Sequence, residues 1–428
     1  MVQFWIFIAS LFGFMCLGLP IAIVLVICAL LMMVSMNAVD MMTIAQNMVS
    51  GMNSFPLMAV PFFMLAGEIM DKGGLSIRIV RAAKLLVGRV RGGLGYTAIL
   101  ASIVFSGLSG SAVADAAAMG AILIPLMVAN GYNKARSIAF ICAGAVIAPI
   151  IPPSIPMIVM GTATNLSITK LFMSGLIPGI GIGLILMAAW WVVVRVDGYN
   201  DVETFTREEA LSILKESLPA LMMPVLIVGG IRFGIFTPTE AGSFAVVYAL
   251  LVCTFYYKEF KLADVERVFV SATKSTATVM FIVAGATAVG FFFTIARIPD
   301  TVAGLLGGLI HNPLLLLLVI NVFLLFMGMV MDCTPNILIF APVLFPIIQQ
   351  AGIDPYYFAC VMNLNLCLGL ITPPVGVVLY VGMNSSGQKV TLPDVIKALM
   401  PFLGVELLVL LLMILFPQII LVPLGWLT

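Results

Sequence analysis

The sequence has 428 residues, of which 62% are hydrophobic and 9% are charged. Soluble domains carry about 25% charged residues, so this composition excludes a soluble protein and indicates a polytopic membrane protein. The formal net charge of +1 argues against nucleic acid as a partner. The seven cysteines show no metal-ligand spacing, and the single histidine, His311, excludes histidine-based metal or triad chemistry.

A helix needs about 20 apolar residues to cross a bilayer. The first apolar run, 4–34, is longer than the core of a signal peptide and lacks a cleavage site, so it predicts one retained span. The further predicted spans are 54–71, 136–165, 171–195, 217–233, 240–257, 274–296, 356–384 and 400–424.

Two long apolar stretches, 93–128 and 313–349, are interrupted near their centres by small and polar residues. Their halves of roughly 13 to 18 residues fall short of the hydrocarbon core at about 1.5 Å per residue. We therefore expect two re-entrant helical hairpins whose tips stop near the middle of the membrane.

Two predicted spans contain a double proline, Pro152-Pro153 in 136–165 and Pro373-Pro374 in 356–384. Proline lacks an N–H group and clashes with the preceding turn, so each pair breaks its helix. Broken helices persist in membranes where they line a cavity or coordinate a ligand, and paired breaks are typical of secondary transporters.

The basic residues test this arrangement, because lysine and arginine concentrate in cytoplasmic loops. With the N-terminus in the cytoplasm, 17 of the 20 basic residues fall in the loops 72–91, 129–137, 195–216, 258–274 and 385–398. The same topology places the C-terminus in the periplasm. Two stretches, Leu75–Val90 and Lys258–Lys274, suit amphipathic arms at the cytoplasmic surface or plain charged connectors.

The two halves of the sequence align at a shift of 217 to 221 residues. The shift pairs Asp115 with Asp332, Pro125 with Pro342, both double prolines, and Asn165 with Asn384. An odd number of spans between the hairpins makes the repeat inverted. We expect an all-α protein with a first repeat over 1–196, a cytoplasmic linker over 197–216 and a second repeat over 217–428.

Each hairpin tip is predicted to form a cation site with one helix break, because exposed carbonyls and hydroxyls suit a hard ion such as Na⁺. The predicted ligands at the first tip and break are Ser106, Ser109, Gly110, Ser111, Ala148, Pro149 and Pro152. The predicted ligands at the second are Gly328, Asp332, Thr334, Ile371, Thr372 and Pro373. Supporting positions are Asp115, Pro153, Ser154, Pro374 and Gly376.

The roles of the acids stay open. Asp115 and Asp332 serve either the cation sites or local helix structure, since an acid in the first turn also favours the helix dipole. We expect Thr334-Pro335 to begin a helix, with Asp332 just outside it. Glu406, alone in the last span, is unexplained. Gly92-Gly93-Leu94-Gly95 lacks the lysine of a phosphate-binding loop, so ATP is not the predicted energy source.

Several motifs, taken together, resemble one family. They are Leu17-Gly18-Leu19-Pro20, Pro61-Phe62-Phe63-Met64-Leu65-Ala66-Gly67, Phe105-Ser106-Gly107-Leu108-Ser109-Gly110-Ser111, Ile151-Pro152-Pro153-Ser154, Thr237-Pro238-Thr239-Glu240-Ala241-Gly242 and Thr372-Pro373-Pro374-Val375-Gly376. The whole chain thereby resembles the large membrane subunit of tripartite ATP-independent periplasmic (TRAP) transporters.

The resemblance implies a multi-pass protein of the bacterial inner membrane with a scaffold and an elevator-like transport domain. It implies import of a carboxylate (sialic acid, a C4-dicarboxylate or another sugar acid) driven by two or more Na⁺ ions. It also implies a separate small four-helix membrane subunit and a periplasmic substrate-binding protein. The residues expected to contact substrate are Thr162, Asn165, Asn336 and Asn384.

Three other functions remain possible on the sequence alone. A binding-protein-independent Na⁺/anion symporter would share the repeat plan. An intramembrane aspartyl protease would use two membrane aspartates, but neither lies in a protease-like context. A channel would not explain hairpins entering from both sides.

Overall fold

The computed structural model describes residues 2–36 and 41–428, and its regular elements over these residues are all helical. The predicted all-α class is thus confirmed. The α-helices are α1 Val2–Cys16, α2 Ile21–Met36, α3 Met41–Met52, α4 Ala59–Lys72, α5 Leu75–Val87, α6 Gly93–Ser109, α7 Ala112–Ala129, α8 Lys134–Ala145, α9 Ile155–Thr164, α10 Ile168–Asp197, α11 Arg207–Arg232, α12 Pro238–Leu251, α13 Leu262–Ile295, α14 Ile298–Ile310, α15 Pro313–Val330, α16 Cys333–Gln350, α17 Pro355–Gly369, α18 Val377–Ser385, α19 Leu392–Leu415 and α20 Gln418–Leu427.

Eight of the described helices are long and apolar enough to cross a membrane, or nine if the bent pair α3–α4 is one span. The bend between these two helices is 62°. The eight include α7, α15 and α16, so length and composition alone do not separate the hairpin helices from full spans. The packing of the hairpin tips against the helix breaks is more informative on this distinction.

The prediction of one span over 4–34 is wrong, because the chain turns between α1 and α2. Gly18 adopts a left-handed conformation with φ of 78°, and Pro20 directly precedes α2. The two helices pack against each other, with the Ser10 hydroxyl 3.2 Å from Cys28 Sγ. The Gly-Leu-Pro sequence was the signal for this turn.

The two predicted cytoplasmic arms have different structures. Leu75–Val87 is a separate helix, α5, between two left-handed glycines, Gly74 and Gly92. The stretch 258–274 is instead mostly the start of α13, which continues without a break to Ile295. Of the two alternatives for this stretch, the structure favours the charged connecting helix, because neither proline nor glycine separates it from the rest of α13.

The hairpins and broken helices repeat at a constant offset of 221 residues. This offset relates α7 to α16 at both ends, Ala112 to Cys333 and Ala129 to Gln350, and it also relates the two double prolines. It pairs Asp115 with Asn336 and Ser111 with Asp332, whereas the sequence alignment paired the two aspartates. The alignment paired Asp115 with Asp332 because both are aspartates, although the helix bounds place them four positions apart in the repeat.

The segment 197–216 is exposed over most of its length, as expected for a linker, but it is more regular than expected. Its second half is the first part of α11, and Asp201 accepts hydrogen bonds from the backbone N–H groups of Gly92 and Leu94 at 3.0 and 3.3 Å. The Tyr132 hydroxyl also donates to Asp201, and burial together with this hydrogen bond raises the pKa of Tyr132. The linker therefore fixes the base of the first hairpin.

Candidate cation and substrate sites

The first hairpin tip is a two-residue turn between α6 and α7. Gly110 takes a left-handed conformation with φ of 60°, and the Ser111 hydroxyl accepts from the Ala114 N–H group at the start of α7. The Ser109 hydroxyl donates to the carboxylate of Asp115, one turn into α7. The tip thus gathers two hydroxyls and one carboxylate.

The tip lies directly on the first helix break. A Cβ atom on Gly110 would come within 2.6 Å of the Pro153 carbonyl oxygen and 3.1 Å of the Ile155 nitrogen. One on Gly107 would lie 3.5 Å from the Pro152 carbonyl oxygen. Glycine at these positions permits backbone-to-backbone approach, so the tip packs directly against the backbone of the break between α8 and α9.

The break itself is buried and internally bonded. Ser154 is fully buried, and its hydroxyl donates to the Pro149 carbonyl oxygen. The same oxygen accepts a 2.6 Å hydrogen bond from the Asn363 side chain of α17. Pro149 therefore links the two broken helices, a contact that its predicted role as a cation ligand did not anticipate.

Asp115 is the most unusual group at the first tip. Its side chain is 0% exposed, and no hydrogen-bond partner reaches its Oδ2 atom from the described residues. A buried carboxylate oxygen with no partner is costly unless something else neutralises it. A cation at the tip would supply that partner, and an all-oxygen set of hydroxyl, carboxylate and carbonyl groups fits Na⁺.

The second tip has the same plan with different chemistry. Asp332, not Thr334, precedes the first residue of α16, and its side chain is exposed and makes no capping bond. Buried Asn336 donates to the carbonyl oxygens of Met327, Met331 and Asp332 at 3.2, 3.0 and 3.0 Å. Its Oδ1 atom, like Asp115 Oδ2, lacks a partner among the described residues.

The second tip also lies on its break. A Cβ atom on Gly328 would lie 2.8 Å from the Leu366 carbonyl oxygen and 3.1 Å from Gly369. Cys333 and Cys367 bring their sulfur atoms to 3.4 Å across this contact. The Thr372 hydroxyl donates to Leu368 within its own chain segment. Each hairpin tip therefore meets the break that the sequence paired with it.

The predicted ligands divide into two groups. Ser109, Ser111 and Asp115 lie together, whereas the Ser106 hydroxyl donates back to Ile103 at 2.7 Å. The backbone positions Ala148, Ile371, Pro373 and Gly376 lie within or beside the breaks and offer no side-chain oxygen.

The four predicted substrate residues do not converge. Thr162 lines a cleft between α3 and α13 on one side and α9 and α16 on the other. Asn165 follows α9, two residues before Ser167, whose N–H group donates to the Tyr356 hydroxyl at the start of α17 at 3.4 Å. Asn384 lies at the far end of α18, beside Ser385, which contacts Ala116. Asn165 and Asn384 thus lie near opposite ends of the second broken helix. The Asn336 side chain instead forms its hydrogen bonds within the second hairpin tip.

Sequence reasoning missed a set of buried amides between the hairpin and the broken helix of the second half. Asn365 donates to the backbone and side-chain oxygens of Asn321 at 2.8 and 2.6 Å, and Asn363 reaches Pro149. Polar residues in membrane helices are costly and commonly functional. The three asparagines in apolar surroundings, Asn321, Asn363 and Asn365, were the available signal.

An all-helical membrane protein with paired helix breaks and paired hairpin tips belongs to the class of secondary transporters. Residues 8–419 match the family described as the tripartite ATP-independent periplasmic transporter, DctM component. The chain belongs to this family, which is a transporter component and not an enzyme.

Two relatives support this membership over nearly the whole chain. The 2,3-diketo-L-gulonate TRAP transporter large permease protein YiaN of Escherichia coli is 44% identical and covers 98% of this chain and 99% of its own. The sialic acid TRAP transporter large permease protein SiaM of Vibrio cholerae is 36% identical and covers 96% of both chains.

A solved structure shares the fold. The Neisseria gonorrhoeae protein MtrF, described as an efflux pump, superposes with a TM-score of 0.65 at 13% identity, over 89% of this chain and 85% of its own. At this identity the likeness shows the fold alone.

Proposed function

We propose that this chain is the membrane subunit that moves a carboxylate substrate across the bacterial inner membrane, driven by Na⁺ ions bound at the hairpin tips. The observation that carries the proposal is Asp115, whose buried Oδ2 lacks a partner beside two serines at a tip resting on a helix break. Na⁺ would neutralise this carboxylate and hold the tip against the break.

The moving unit in this proposal is the set of hairpins and broken helices. α6 to α9 and α15 to α18 pack on one another, whereas α2, α3, α4, α12 and α13 form a second packed group. Alternating access would displace the first group against the second, as in an elevator. The two groups meet where α13 contacts α16 and where α4 contacts α6 and α9.

The partners follow from the family. A periplasmic binding protein would deliver the substrate, and a small four-helix membrane subunit would complete the complex in the lipid bilayer. No lysine or arginine occurs at either described tip to bind a carboxylate, so backbone N–H groups at helix starts would hold the anion.

The turn between α1 and α2 alters the proposed topology. In the proposed topology α1 and α2, although their 15 and 16 described residues make them as short as the hairpin helices, cross twice in place of once. The N-terminus then lies on the periplasmic side, while the basic loops stay cytoplasmic and the C-terminus stays periplasmic. Each half then contains an odd number of crossings, as an inverted repeat requires. Labelling a single cysteine at Val2 with a membrane-impermeant reagent on intact cells tests this side assignment.

The test of function is uptake into proteoliposomes that contain the complex and its binding protein. We expect uptake only when an inward Na⁺ gradient and the binding protein are both present. Uptake without the binding protein would favour the independent symporter. Uptake that is equal with Na⁺ and with choline would contradict the coupling.

A further inference from the structure

Two cysteine side chains meet where the second hairpin tip rests on its helix break. Cys333 is the first residue of α16, and Cys367 lies two residues before the end of α17. Their sulfur atoms are 3.4 Å apart, and the two residues are 1% and 0% exposed. Both are free thiols. The pair therefore spans the contact between the tip and the break.

The other buried cysteines have different surroundings. The thiols of Cys142, Cys253 and Cys360 each donate to a backbone carbonyl oxygen, at 3.4, 3.7 and 3.5 Å. The sulfur of Cys28 accepts from the Ser10 hydroxyl at 3.2 Å. A buried thiol in such surroundings behaves as a small core group. Within the described ranges, sulfur meets sulfur at the second tip alone.

The geometry of the pair allows a covalent bond. A disulfide bond is about 2.05 Å long, so the sulfur atoms of Cys333 and Cys367, 3.4 Å apart, need to approach by roughly 1.4 Å. The backbones of tip and break are in contact beside the pair, because a Cβ atom on Gly369 would lie 2.5 Å from the Gly328 Cα atom. Side-chain movement can therefore close the bond while the helices stay packed.

The pair lies one residue below the exposed surface of the tip. Asp332, directly before Cys333, is exposed, and so are Pro374 and Val375 at the break. Only a solvated thiolate reacts readily, and the buried thiols become solvated when the tip lifts from the break. Their oxidation thus requires the same displacement of the tip that exchange of a bound ion would require.

We propose that Cys333 and Cys367 form an oxidisable thiol pair, whose disulfide fixes the second hairpin tip to its break and stops transport. The oxidant is a small peroxide. The inference rests on the proposed function, in which the tip must leave the break for its ion to exchange. With both thiols reduced the tip is free to lift, and with the disulfide formed it is not.

The reaction with hydrogen peroxide balances in two steps. One thiolate attacks a peroxide oxygen, the O–O bond breaks, and a sulfenic acid and water form. The second thiolate then attacks the sulfenic sulfur, the S–S bond forms, and the sulfenic oxygen leaves as water with the thiol protons. The thiol pair loses two electrons, and the peroxide is reduced to water. A thiol reductant reverses the bond by exchange.

The test applies hydrogen peroxide to proteoliposomes that contain this chain, its small membrane subunit and its binding protein. After free thiols are blocked, mass spectrometry measures the fraction of chains in which Cys333 is joined to Cys367. Initial Na⁺-driven uptake is measured on the same samples. We expect uptake to fall in proportion to the bridged fraction and to recover with dithiothreitol. Methionine oxidation does not recover in this way, because its reversal needs dedicated reductases. Absence of the bridged peptide, or full uptake in bridged protein, overturns the proposal.

Variants assign the effect to the pair. Cys333→Ala and Cys367→Ala should each lose the part of the inhibition that dithiothreitol reverses. Cys360→Ala is the matched control and should stay as sensitive as wild type, because Cys360 lies on the same helix, is 1% exposed and donates to Ser174. Serine variants of the pair repeat the test if alanine lowers the yield of the complex. Reversible inhibition that persists without either thiol overturns the assignment.

The two proposals fail differently. A disulfide that forms while Na⁺-driven uptake continues would remove the role of the thiol pair and leave the proposed function intact. Uptake that does not depend on Na⁺ in the untreated wild-type complex would instead remove the proposed function, because that sample has met no oxidant.

Discussion

The two hairpin tips share a helix plan and differ in their exposure to solvent. At the first tip Asp115 and Ser154 are both 0% exposed. At the second, Asp332 is exposed and Val375, the counterpart of Ser154 at the constant offset, is 38% exposed. The second tip and its break are thus more accessible from the protein surface than the first.

The difference shows how one repeated plan gives the two proposed cation sites different surroundings. In the proposed function a cation compensates the buried carboxylate at the first tip, whereas at the second tip the Asn336 amide nitrogen, with its two hydrogens, lies within hydrogen-bond distance of three tip carbonyl oxygens. We therefore expect the first site to depend on charge and the second to depend mainly on backbone geometry.

The largest expected effect comes from Asp115→Asn. Removing the charge while keeping the shape should reduce Na⁺-driven uptake by about tenfold or more, since hydrogen bonds and contacts of charged groups contribute roughly 1.5–3 kcal/mol. Asp332→Asn should have a smaller effect, because its side chain is exposed. Initial rates in proteoliposomes measure both. Equal losses of uptake in the two variants would contradict the proposed difference between the two tips.

Gly110→Ala should destabilise the folded protein by about 2 kcal/mol. The residue combines a left-handed backbone with a Cβ position 2.6 Å from the Pro153 carbonyl oxygen. Gly131→Ala is the control, because Gly131 is also left-handed, with φ of 84°, and has open space around its Cβ position. Thermal unfolding in detergent measures the difference. Equal melting temperatures for the two variants would show that the tip does not rest on the break.

Cysteine labelling tests the exposure difference directly. In a background without the native cysteines, Val375→Cys should react with a water-soluble thiol reagent several times faster than Ser154→Cys, because only a solvated thiolate reacts readily. The two positions are equivalent in the repeat. Similar labelling rates at both would mean that the two breaks are equally accessible.

The smallest expected effect concerns a group outside both sites. Glu406 in α19 is 1% exposed, and neither side-chain oxygen has a partner among the described residues. Because a buried unpaired carboxylate costs stability, Glu406→Gln should melt at the same temperature as wild type or higher. The exposed Glu266→Gln provides the control. A clearly lower melting temperature for Glu406→Gln would reveal a partner that requires the charge.

Much of the architecture could be predicted from sequence, because proline and glycine act locally. The double prolines located both breaks, and the Ser-Gly cluster located the first tip within two residues. The same kind of local signal at Gly18-Leu19-Pro20 was passed over, since a long apolar run resembles a single span.

The register of the repeat and the assembly of the site could not be predicted. An alignment that rewarded identical residues paired Asp115 with Asp332, whereas the helix starts pair it with Asn336. The amide contact between Asn363 and Pro149 joins residues 214 positions apart, and no local pattern encodes it. Such contacts depend on how the two halves pack.

The central claim is that the first tip and break bind Na⁺ through Asp115. The most direct measurement is the melting temperature of the purified complex, titrated with NaCl against choline chloride, for wild type and Asp115→Asn. We predict a saturable increase with Na⁺ in wild type and a reduced or absent increase in Asp115→Asn. An identical Na⁺ response in both proteins would contradict the account.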